Sequence, residues 1–66
     1  MNVKDLRIGK VYKDRFSGSA FMYNGRSYNA VDFEFIEMEE LENGNYKATD
    51  YIAYFDKFAV TDLVEE

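Results

Sequence analysis

Apolar residues of the β-prone kinds gather in four stretches, residues 11–16, 19–23, 26–40 and 45–55, and within the third Val31, Phe33 and Phe35 recur at the period of two that marks a strand with one buried face. Turn-forming pairs separate the stretches. Asn24-Gly25 and Asn43-Gly44 are strong hairpin signals, because a type I′ turn needs positive φ at both central residues and Asn-Gly tolerates that best. Ser17-Gly18 is a weaker third signal. A meander of four strands follows. Residues 3–7 form one helical turn ahead of it, residues 56–58 a 3₁₀ turn behind it, and residues 59–63 a short fifth strand.

Two-residue loops at both Asn-Gly pairs would fix the register by counting outward. The first pairs Tyr23 with Arg26 and Phe21 with Tyr28. The second pairs Glu42 with Asn45, Leu41 with Tyr46, Glu40 with Lys47, Phe35 with Ile52 and Phe33 with Tyr54, so apolar meets apolar and an acid meets a base. The long third stretch is less regular. Val31, Phe33 and Phe35 share one face, whereas Ile36 and Met38 fall on the other; a bulge near Phe35-Ile36 would return both sets to one core. Residues 35–41 also fit a helix through their Glu, Met and Leu content, but the turn signal at Asn43-Gly44 favours the strand. The fold class predicted is mainly β: one domain over residues 1–66, a small five-stranded antiparallel SH3-like or OB-like barrel with one short helical turn.

Composition narrows the chemistry. With no Cys and no His, disulfides, the usual structural zinc sites and the common nucleophile and proton-relay arrangements are excluded, and stability has to come from packing. Six Phe and six Tyr serve that need, since each buries a large area. Neither a P-loop nor a dinucleotide fingerprint occurs, and no EF-hand loop accompanies the carboxylates. The chain therefore reads as a non-enzyme without cofactor or metal. No stretch resembles a signal peptide or reaches membrane-spanning length, which predicts a cytoplasmic protein with no membrane contact.

Charge is divided unevenly. Residues 1–26 hold six Lys/Arg against two acids, net +4, and residues 27–66 hold two against eleven, net −9. Asp32, Glu34, Glu37, Glu39, Glu40 and Glu42 fall within eleven residues and make a concentrated negative edge. On a strand, Glu37 and Glu39 project from one face about 7 Å apart, a spacing close to that of neighbouring phosphates. The plainer use of such a run is a solvated edge that blunts strand-to-strand aggregation.

Tyrosine-rich patches recur in protein interfaces, and Tyr51 and Tyr54 lie in an aromatic cluster with Phe55 and Phe58. The expected function is thus a small acidic protein-binding module whose contact residues are Glu37, Glu39, Glu40, Glu42, Tyr51 and Tyr54. In size and acidity the chain resembles the stand-alone domains that phages and mobile elements encode. That resemblance implies an inhibitor that mimics nucleic-acid charge on a nucleic-acid-binding enzyme. Two rivals stand beside it: a nucleic-acid-binding barrel using Lys10, Lys13 and Arg15 of the basic N-terminal hairpin, which the net charge of −5 disfavours, and a structural homo-oligomer.

Overall fold

The computed structural model describes residues 1–29 and 31–65, apart from the side chain of Tyr28. A 3₁₀ turn at Val3–Asp5 precedes β1 (Val11–Asp14), β2 (Ala20–Tyr28), β3 (Asp32–Glu40) and β4 (Tyr46–Phe55); a short helix α1 (Lys57–Val60) then leads to β5 (Leu63–Glu65). The five strands form one antiparallel sheet in the order β4-β3-β2-β1-β5. β4 and β5 stand at opposite edges, so the sheet is open where a closed barrel was expected. The fifth strand also begins later than expected. Asp56 caps α1 by accepting from the N–H groups of Phe58 (3.0 Å) and Ala59 (2.8 Å), and the helix takes up the residues that the sequence pattern assigned to the start of the strand.

The turn at Ser17-Gly18 is where the sequence placed it. The Asp14 carboxylate accepts from the Phe16 N–H (3.1 Å) and the Ser17 hydroxyl (3.0 Å), and Gly18 donates to the Asp14 carbonyl at 2.8 Å.

Asn24-Gly25 is not a turn. Tyr23 pairs with Phe35 and Ser27 with Phe33, so three residues of β2 stand opposite the single residue Glu34 of β3: a bulge within a continuous strand. The reason is local. Gly25 takes φ +84, but Asn24 is not left-handed, and a type I′ turn needs both. Instead the Asn24 side chain accepts from the Arg26 N–H at 3.1 Å and holds the bulge. The chain reverses later, between Tyr28 and Asp32, where Asn29 sits at φ 46.

Asn43-Gly44 does close a hairpin, through a loop one residue longer than the expected two. Gly44 donates to the Leu41 carbonyl (3.0 Å) and Leu41 to the Asn45 carbonyl (2.7 Å), with Gly44 alone at φ +85: a turn followed by a glycine bulge. The extra residue shifts the register. Glu40 faces Tyr46 and Glu39 faces Lys47; after a second irregularity, Ile36 faces Ile52, Phe35 faces Ala53 and Phe33 faces Phe55. A one-residue shift exchanges the faces of β4, so Ala53 and Phe55 turn inward while Ile52 and Tyr54 turn outward. β3 itself is a strand from Asp32 to Glu40, and it runs through Phe35-Ile36 without the expected bulge. The irregularities lie in its neighbours.

The inner face carries the core. Tyr12, Phe35, Val60 and Leu63 are fully buried, with Met1, Val3, Leu6, Phe21, Tyr23, Phe33 and Phe55 packed around them. Phe35 lies 5.0 Å from the Phe55 ring and 5.3 Å from Tyr23, within the range of favourable ring pairs. The buried Tyr12 hydroxyl accepts from the Arg7 N–H at 2.8 Å, which satisfies the one polar atom this side chain brings into the core. No helix among the described residues is long and apolar enough to cross a membrane.

Candidate functional site

The far half of the β3–β4 hairpin extends past the core, and its shape is set by the irregularity in β4. Between the pairs Ile36–Ile52 and Met38–Ala48, Thr49, Asp50 and Tyr51 stand opposite Glu37 alone. The Thr49 hydroxyl donates to the Glu37 carbonyl (2.9 Å) and accepts from the Tyr51 N–H (3.1 Å), pinning the bulge from within. The consequence is an outward-standing Tyr51, 71% exposed. Glu39, Lys47, Ala48, Thr49, Asp50 and Tyr51 line an open hollow of about 420 Å³ at this end of the hairpin.

The six residues expected to make contact do not share one surface. Glu37 and Glu39 lie on the face that carries Phe35, with Glu37 half-buried and Glu39 exposed across from Lys47. Glu40 lies on the outer face and pairs with the Lys13 ammonium at 3.1 Å. Glu42 is exposed in the loop. Tyr51 stands at the hollow, whereas Tyr54 lies on the outer face and donates to Glu34 at 3.0 Å. The structure therefore brings Glu39 and Tyr51 together and separates them from Tyr54. It adds Asp50 and Thr49, which the sequence pattern does not single out. The signal for both was the polar run Thr49-Asp50 interrupting the apolar alternation of β4, a usual mark of a bulge.

A polar cluster on the outer face also depends on a bulge. Asn24 donates to the Glu34 carboxylate, which also accepts from Tyr54. The Asn24 hydrogen bond holds the Glu34 carboxyl below the ordinary glutamate value, against the opposing effect of desolvation and with help from the Tyr54 hydroxyl and the charge of Arg26. Beside α1, a more apolar hollow of about 340 Å³ is lined by Val3, Val31, Phe33, Asp56, Lys57 and Phe58. Its charged groups are engaged locally, Asp56 in capping the helix and Lys57 over the Phe58 ring at 5.3 Å.

The basic side chains of the N-terminal hairpin face acids of the same molecule. Lys10 pairs with Glu65, Lys13 with Glu40 at 3.1 Å, and Arg15 with Asp62 at 3.3 Å. Among the described residues, no group of three or more acids is placed to hold a metal ion. Comparison of the chain with family models, curated proteins and solved structures found no match.

Proposed function

We propose that this chain is a non-enzymatic protein-binding module that receives an arginine- or lysine-bearing surface of another protein at the open end of the β3–β4 hairpin. The observation that carries this reading is the hollow lined by Glu39, Asp50 and the exposed Tyr51 together with Lys47, two carboxylates and one ring against a single ammonium. An aromatic face attracts a guanidinium or ammonium through its quadrupole, and adjacent carboxylates accept its N–H donors in charge-assisted hydrogen bonds. Glu42, exposed in the adjoining loop, extends the negative field at this end of the hairpin and helps to steer a basic partner toward it. A nucleic-acid-binding groove on an enzyme has the complementary charge, so inhibition by imitation of phosphate charge is the specific form of this proposal. The ion pairs at Lys10, Lys13 and Arg15 weigh against direct nucleic-acid binding, since those cations already face carboxylates.

The test is kinetic. With a partner isolated by affinity capture, a variant carrying Glu39→Gln, Glu42→Gln and Asp50→Asn is expected to associate about tenfold more slowly at low salt, with a weaker salt dependence than the wild type. Tyr51→Ala is expected to act mainly on dissociation. Unchanged kinetics in both variants across a salt series would refute the assignment.

A further inference from the structure

The middle of β2 and β3 is apolar on both faces, with Glu34 and Glu40 of β3 flanking it on the outer one. Phe21, Tyr23, Phe33 and Phe35 point into the core, while Met22, Ile36 and Met38 occupy the opposite side of the same strands. Register assembles these outward residues into rows. One row runs Val11, Met22, Ile36, Ile52 across β1, β2, β3 and β4; the next runs Val64, Lys13, Ala20, Met38, Ala48 across all five strands. The N-terminal turn and α1 contribute their apolar residues to the other face; along the rows Ala20 is buried, Val11, Met22, Ile36 and Met38 are half-buried, and Ile52 and Val64 are 54% and 45% exposed. An antiparallel sheet with one face in water normally alternates apolar and polar residues, whereas strands that are apolar on both sides belong to sheets covered on both faces.

We propose that a second copy of this chain covers the outer face, the two sheets stacking as a dimeric sandwich. This inference is independent of the partner assigned to the hairpin end. β2 is the middle strand, so a twofold axis parallel to the strands and passing over β2 sets Met22 near Met22 of the other copy, β3 over β1, and β4 over β5. That axis sets the Lys13–Glu40 ion pair of one copy against that of the other with their signs alternating. The other in-plane axis, perpendicular to the strands, would stack β3 on β3 and β1 on β1, like charge on like. Size permits the pairing: a molecule of 35 Å by 21 Å by 18 Å has sides of the order of a standard interface, about 800 Å² per partner. A chain of 66 residues with one small core gains a second core by the pairing.

Sedimentation equilibrium at tens of micromolar is expected to give twice the 7.8 kDa chain mass, and Ile36→Lys and Ile52→Lys are each expected to return it to one chain mass with the far-ultraviolet β signature retained. Cross-linking tests the geometry without disturbing the fold. Because the chain has no cysteine, Met22→Cys introduces a single thiol near the axis. Stacked sheets lie about 10 Å apart, within reach of a short bis-maleimide. Val64→Cys, on an edge strand, stays out of reach of its copy. At least tenfold faster cross-linking of Met22→Cys than of Val64→Cys is expected. A wild type that sediments as one chain, lysine variants that remain dimeric, or equal cross-linking of the two cysteine variants would each overturn the proposal.

Discussion

At the scale of single residues, left-handed backbone positions decide where the chain bends. Gly44 adopts φ +85 with open space where a Cβ would stand, so Gly44→Ala carries only the conformational penalty, expected at about 1 kcal/mol. Gly44→Asn should recover most of that loss, because Asn tolerates the left-handed region. Equal denaturation midpoints for the wild type and the Ala variant would contradict the turn. At Gly25 an added Cβ would approach Ile8 Cδ1 to 2.6 Å, but Ile8 is 75% exposed and free to swing, so Gly25→Ala is expected to cost little more than Gly44→Ala. The need for positive φ was legible in both Asn-Gly pairs. Whether one residue or two would adopt it was not, because that depends on the partner strand. Glu34 supplies a pH test. Its carboxyl is held below the ordinary glutamate value in the fold, so its contribution to stability is fully present above the unfolded-state pKa and is lost as pH falls through the depressed folded one. Thermal melts from neutral to acidic pH should therefore show a smaller decline for Glu34→Gln than for the wild type, and parallel declines would contradict the assignment.

At the scale of elements, strand identity was legible and strand parity was not. The turn signals at Ser17-Gly18 and Asn43-Gly44 located β1 and β4, and the latter correctly ranked strand above helix for residues 35–41, whereas the turn expected at Asn24-Gly25 cut β2 short and assigned its last three residues to the third strand. One additional loop residue then reversed the facing of β4, an outcome that pairing apolar with apolar could not exclude, since Ile52 and Tyr54 suit a core as well as Ala53 and Phe55 do. The same ambiguity hid the candidate site: Glu39 and Tyr51 converge only because three residues of β4 oppose Glu37. Thr49 holds that arrangement by donating one hydrogen bond and accepting another. Thr49→Val keeps the β-branched shape and deletes both, which is expected to cost about 1–2 kcal/mol and to speed amide exchange at Tyr51. Unchanged exchange at Tyr51 would show that the backbone shapes the bulge unaided. The N-cap of α1 is an independent element, and Asp56→Ala is expected to cost about 1 kcal/mol in chemical denaturation without altering the hairpin.

At the scale of the whole molecule, one small core carries a sheet whose edges and second face remain available. Phe35 stands at its centre, fully buried between Tyr23 and Phe55, and Phe35→Ala is expected to cost about 3–5 kcal/mol, enough to unfold a domain of this size. A folded variant with a midpoint near that of the wild type would place the core elsewhere. The charge division seen in the sequence becomes contacts in the fold, as Lys10, Lys13 and Arg15, three of the six cations of residues 1–26, reach acids of the C-terminal part. The hairpin end, where Glu39, Asp50 and Tyr51 line one hollow with Lys47, is where we propose that a basic partner docks. The most direct test of that claim is an amide-shift map of the isotope-labelled chain titrated with a short arginine-rich peptide at low salt. Saturable shifts centred on Glu39 and on Thr49, Asp50 and Tyr51, weakening as salt rises, are expected; shifts centred on another surface, or none at millimolar peptide, would contradict the assignment.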